Sequence, residues 1–223
     1  AGYAVFWGWK FAAGFVLLLL VHELGHVAEA RRQGLDTSGV YFIPFLGAVM
    51  LLKEHSKDAA RAAWLGLGGP LLGSAGALAV WGVGAAMDSD LLVALAFTGF
   101  LLNLFNLIPV FPLDGGWITA VFHPMFWVVG LTGLVMVFFI IPSPIIPIIV
   151  IVGGIELWKR LRGTSVHDAS YYEIADRQRT TIAVVYLGLI VALALGMSAT
   201  HEARSLDGDL RDGATTHVMS RSV

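Results

Sequence analysis

The chain has 223 residues, of which 57% are hydrophobic and only 13% charged, with a net charge of −2 and no cysteine. Soluble domains carry about 25% charged residues, so an ordinary soluble domain is excluded and a polytopic, all-α membrane protein is expected. The weak net charge offers nucleic acid no electrostatic footprint. The absence of cysteine removes disulfides, thiolate metal ligands and a cysteine nucleophile.

Residues 3–30 read as the first of about six transmembrane helices. Lys10, Trp7 and Trp9 stand as an interfacial anchor at its start, and an apolar run leads into His22-Glu-Leu-Gly-His26. That run is too long for a signal-peptide core and ends in HELGH rather than a cleavage site, so it is kept as structure. Residues 33–60 are a connection. Its apolar middle, 40–52, is too short to span and contains Pro44 and Gly47, so a re-entrant segment or β-hairpin is expected there. Further spans are expected at 61–87, rich in Gly and Ala, at 91–110, at 117–141, at 142–158 as a shorter or re-entrant crossing, and at 181–199. Residues 200–223 read as a polar, disordered tail.

Charge sets the expected orientation. The connections 31–61 and 159–180 hold Arg31, Arg32, Lys53, Lys57, Arg61, Lys159, Arg160, Arg162, Arg177 and Arg179, whereas the turn at 88–90 holds no basic residue. The positive-inside rule therefore puts both basic connections in the cytoplasm and the amino terminus outside.

His-Glu-x-x-His places two imidazoles at i and i+4 on one helix face, where both can reach one Zn²⁺. The intervening Glu23 can serve as a base toward water. Ionisable groups deep in an apolar span are costly and functional by default. A catalytic zinc takes three protein ligands and keeps one position open. With no cysteine, candidates for the third ligand near apolar segments are Glu29, Asp114, His123 and Glu156. Glu29 points toward the basic end of its helix, where Arg32 is the nearer partner. Asp114 follows Pro109 and Pro112, which break the third span at the same membrane depth as HELGH. Broken backbone at that depth is tolerated only in a protein-lined or wet cavity. Asn106 could donate a hydrogen bond to substrate or oxyanion, or serve as interhelical glue, which is also the reading for Asn103.

Two motifs together, His22-Glu-Leu-Gly-His26 and Asn106-Leu-Ile-Pro109-Val-Phe-Pro-Leu113-Asp114-Gly115, resemble the site-2 protease family of intramembrane zinc metalloproteases. The resemblance covers about residues 5–115, with a weaker echo at 171–196. It implies His22, His26 and Asp114 as ligands of one zinc ion and Glu23 as the base. It also implies a strand near the site in the 40–52 stretch. Gly73 stands where many members carry Asn, and Trp117 where a basic residue is common. A compact, bacterial-type member without PDZ-like or CBS-like domains is expected, with one transmembrane protease domain over 1–199 and its core in 5–116.

The expected function is hydrolysis of a peptide bond in or near the transmembrane segment of a membrane protein, as in regulated intramembrane proteolysis. The expected setting is a multi-pass protein of a bacterial inner or plasma membrane, with the lipid bilayer and a transmembrane substrate as partners and the site toward the cytoplasm. The alternative is a metal transporter or sensor using the same His/His/Asp set. A transporter calls for a relay of ionisable groups across the bilayer, and spans two, three and six carry such groups only at their ends.

Overall fold

The computed structural model describes residues 8–43, 47–52, 56–164 and 169–220, excepting the side chains of 37–43, 47–52, 169 and 202–220. Among the described residues the chain forms seven α-helices, a 3-10 turn and one two-stranded antiparallel sheet. Helix α1 (Trp9–Arg32) carries the HELGH motif two turns before its end. Its stop is well specified. Gly34 takes a positive φ of 74°, its N–H bonds the Arg31 carbonyl at 3.0 Å, and the Leu35 N–H bonds the Ala30 carbonyl at 2.9 Å. This is a Schellman motif, and Ala30 and Leu35 make the hydrophobic contact that accompanies it. Strands β1 (Thr37–Ile43) and β2 (Gly47–Leu52) follow and pair with each other. Between them, residues 44–46 lie outside the described residues, as does Trp7.

Helix α2 (Ala59–Ala86) begins at Asp58, whose carboxylate accepts from the Arg61 N–H at 2.8 Å. It runs through Pro70 unbroken. Helix α3 (Asp90–Asn106) begins at Ser89, whose hydroxyl accepts from the Leu92 N–H. The expected span at 117–141 is instead two helices, α4 (Asp114–Thr119) and α5 (Met125–Ile140). The break falls at His123-Pro124, because proline has no N–H to give and disfavours helical backbone in the residue before it. The apolar stretch after Pro142 forms α6 (Ile145–Leu161). Helix α7 runs Asp176–Ser220, so helical backbone continues into the stretch set apart as a disordered tail. Among the described residues, three helices are long and apolar enough to cross a membrane: α1, α2 and the Asp176–His201 part of α7. With 17, 16 and 17 residues, α3, α5 and α6 are shorter than the six-crossing expectation supposes.

Helix α2 is the centre of the packing. Ala59, Ala62, Ala63, Leu67 and Ala77 meet Ala96 and Phe100 of α3 and Ile182, Tyr186 and Leu193 of α7 in one cluster. The α5–α6 pair packs elsewhere. Leu134, Ile146 and Ile149 close over Val110 and Leu113, in the connection between α3 and α4. Contacts at the helix ends bring three connections to one end of the bundle. Gln33 Nε2 donates to the Arg61 carbonyl at 2.9 Å, Tyr171 between α6 and α7 joins the cluster of Ala59 and Ala60 at the start of α2, and Arg160 and Arg179 both donate to carbonyls between α4 and α5.

Helices α1 and α2 touch backbone to backbone. A Cβ added at Gly25 would run into the Gly68 carbonyl and the Gly69 Cα. Without a Cβ on either side the axes can approach closely enough for main-chain packing. Gly25→Ala is expected to force the helices apart and to cost about 1–3 kcal/mol by overpacking. A thermal unfolding scan of the protein in detergent, compared with the exposed control Gly133→Ala, checks this.

Candidate metal centre

The helical spacing of HELGH puts His22 and His26 one turn apart on the α1 face turned to α2, and both are buried, as is Glu23 between them. Their rings stand edge to face at 4.9 Å between centroids. The two Nε2 atoms are 3.2 Å apart. Asp114, the first residue of α4, completes the group: Oδ2 lies 3.1 Å from His22 Nε2, and Oδ1 lies 3.2 Å from His26 Nε2.

Hydrogen bonds on the far side of each ring fix the tautomers. His26 Nδ1 is 2.8 Å from the Leu65 carbonyl, which can only accept, and 3.3 Å from the Gly69 N–H, and the shorter contact puts the proton on Nδ1. His22 Nδ1 is 2.9 Å from Asn103 Oδ1. The orientation of that amide follows from its other end, where Nδ2 donates to the Gly99 carbonyl at 2.7 Å. Oδ1 must therefore face His22, and His22 Nδ1 is the donor. Both Nε2 atoms then present lone pairs. Two imidazole lone pairs and a carboxylate converge, with Asp114 Oδ2 buried and given no donor. Three acceptors packed this closely call for a cation. Tetrahedral coordination with metal–nitrogen bonds of about 2.0–2.1 Å separates donors by about 3.3 Å, so two nitrogens 3.2 Å apart, each with one Asp114 oxygen at 3.1–3.2 Å, suit a zinc-sized site. His22, His26 and Asp114 are also the one group of three or more possible metal ligands among the described residues.

Space for this arrangement comes from glycines on one face of α2. A Cβ at Gly69 would collide with the metal-facing nitrogen of His26 and come within 2.8 Å of His22 Nε2. A Cβ at Gly66 would sit 3.0 Å from the Asp114 carbonyl, so α4 lies directly on this face. A Cβ at Gly73 would strike the Asn103 amide. The amide that orients His22 thus reaches across from α3 through room left by Gly73.

The other residues singled out in the sequence fall outside the cluster. Glu29 is bound by Arg32 at 2.7 Å and by Gln33 at 2.8 Å. Glu156 pairs with Lys159 at 3.4 Å. His123 Nδ1 accepts from the Met125 N–H at the break before α5. Asn106 donates to the Leu102 carbonyl of its own helix at 3.1 Å. Asn103, read from sequence as glue, is the asparagine whose amide meets His22. The available signal is that it is a second asparagine in an otherwise apolar helix, one turn before Asn106. Asn103→Ala is expected to weaken zinc binding by roughly 10–100-fold, the usual scale for removing a partner that orients a ligand. Competition against a chromophoric chelator measures this, with Asp114→Ala as the larger loss.

Comparison with known proteins gives a consistent picture. Residues 10–89 match the model of peptidase family M50. The zinc metalloprotease MJ0392 of Methanocaldococcus jannaschii is 32% identical over 118 residues, 51% of this chain and 34% of that protein. The zinc metalloprotease candidate Rip3 of Mycobacterium tuberculosis is 35% identical over 127 residues, 52% of this chain and 32% of that protein. The chain thus spans about a third of the length of these relatives. The matched region 10–89 holds HELGH and the glycine face of α2 against which His22, His26 and Asp114 are gathered, so the likeness to zinc metalloproteases covers the part of the chain that carries the candidate metal centre.

Proposed function

We propose that this protein is a zinc metalloprotease that hydrolyses a peptide bond in or near the transmembrane segment of another membrane protein, as in regulated intramembrane proteolysis. The observation that carries the reading is the convergence of His22 Nε2, His26 Nε2 and Asp114 at 3.1–3.2 Å, with Glu23 buried on the same helix between the two histidines. The family match and the names of the relatives support it.

Zinc held by His22, His26 and Asp114 would supply Lewis acidity, polarising the scissile carbonyl and acidifying water. Glu23 would accept a proton from the attacking water and deliver it to the leaving amine nitrogen. Asn103 and the Leu65 carbonyl would hold the two imidazoles in the Nδ1–H tautomer throughout. A transmembrane substrate must unwind before its peptide bonds are reachable, since helical carbonyls are already hydrogen-bonded. The β1–β2 pair, which follows α1 directly, offers strand edges that could hold the unwound segment by β-augmentation. Asn106 stands as a candidate substrate-side donor.

The setting we infer is a multi-pass cell-membrane protein with six crossings and the site toward the cytoplasm. The gathering of both basic connections at the end of the bundle where α1 stops supports that orientation.

Glu23→Gln separates this reading from metal transport. The variant is expected to keep its zinc and to lose cleavage of a tagged membrane substrate in proteoliposomes by about 10²–10⁴-fold, the range for removing a general base. Undiminished cleavage would overturn the mechanism, and zinc flux that survives the substitution would favour a transporter.

A further inference from the structure

Asp114 sits on a helix that cannot hold itself in place. Helix α4 has six residues, too few to be stable alone. Its amino-terminal end is fixed by packing on Gly66 of α2. Its exit needs another explanation, because the carbonyls of the turn that follows, at 120–122, lie outside any helix and each calls for a partner from elsewhere.

Two arginines supply that partner from distant parts of the chain. Arg160, at the end of α6, donates through Nη2 to the Ala120 carbonyl at 2.6 Å and to the Phe122 carbonyl at 3.1 Å. Arg179, in the first turn of α7, donates through Nε to the Val121 carbonyl at 3.1 Å. Three consecutive carbonyls directly after α4 are therefore each met by a guanidinium. The Arg160 group is also clasped between rings, 5.1 Å from the Trp127 centroid and 4.6 Å from that of Tyr172. A planar guanidinium can fork to carbonyls and stack on aromatics at once. The clamp continues inward. Trp127 Nε1 donates to Thr119 Oγ1 at 3.1 Å, and the buried Thr119 hydroxyl donates to the Gly115 carbonyl at 2.5 Å. Gly115 is the residue after Asp114.

We propose that Arg160 and Arg179 are positioning residues for Asp114. They pin the exit of α4, so that the carboxylate reaches the two imidazoles only when the bases of α6 and α7 are docked against the 120–122 turn. Metal affinity is thereby tied to the 159–180 connection, remote in sequence from every ligand. The proposal rests on reading the His/His/Asp cluster as a zinc site.

The test titrates Zn²⁺ into the full chain in detergent by chelator competition, for the wild type and for Arg160→Gln, Arg179→Gln and Arg160→Lys. Each glutamine variant is expected to lose about tenfold or more in affinity. Arg160→Lys, which keeps the charge and a donor but loses the planar fork and the stacking, is expected to fall between the glutamine variant and wild type. The same arginine substitutions are then placed in an Asp114→Ala background and titrated with Cu²⁺, which binds an imidazole pair more tightly than Zn²⁺ does. There they are expected to change affinity by less than twofold, because the clamp reaches the metal only through Asp114. Equal losses in both backgrounds would reveal a general structural role and overturn the proposal, as would unchanged zinc affinity in both glutamine variants. A wild type that binds no zinc would instead overturn the metal reading itself.

Discussion

The close approach of α1 to α2 is the constraint on which everything else depends. Gly25 lies against Gly68 and Gly69 with main chain on main chain, and the imidazoles on either side of Gly25 are carried into the space that Gly69 leaves. In a soluble helix pair that contact would be driven by water leaving apolar surface. Where lipid is the surroundings, that drive is absent, and small residues with tight van der Waals packing take its place. The same α2 face then receives α4 over Gly66 and the Asn103 amide over Gly73. One glycine-lined helix is thus the floor for both histidines, the carboxylate and the amide that orients a ring.

Polar groups in this interior are few, and those that join one helix to another have defined counterparts. Asn103 uses its acceptor on His22 and its donor on Gly99. Tyr186 reaches from α7 to the Leu107 carbonyl at 2.6 Å, meeting one of the backbone groups freed where α3 ends ahead of Pro109. Arg160 and Arg179 do the same for the turn after α4. The site is therefore assembled where helices stop, and the side chains that meet the freed carbonyls come from helices later in the chain.

Much of the candidate site can be read from residues alone. His22 and His26 announce themselves through helical spacing, and Asp114 through a proline break at matching depth. The sequence favours Asn106 over Asn103 as the asparagine with a part in the site, whereas it is Asn103 that the packing of Gly73 and His22 brings there. The stretch 117–141 reads as one span by hydropathy, which registers His123 and Pro124 as minor interruptions, although the backbone cannot run helically through them. Pro70 carries the opposite lesson, since α2 continues past a residue that ends helices elsewhere. Arg160 and Arg179 read in sequence only as charges setting orientation. Their carbonyl partners lie 40 and 58 residues away, a separation that no local pattern reports.

The shortness of α3, α5 and α6 bears on how such a centre would sit in lipid. Helices of 16–17 residues extend about 24–26 Å at 1.5 Å per residue, below the roughly 30 Å of a typical hydrocarbon core. Hydrophobic mismatch of this size is relieved by local thinning of the bilayer or by headgroups and water drawn inward. The α5–α6 pair, docked on the connection that leads into α4, would then be the side where the aqueous phase dips furthest toward Asp114. The membrane itself, deformed by stunted helices, would shorten the path for water.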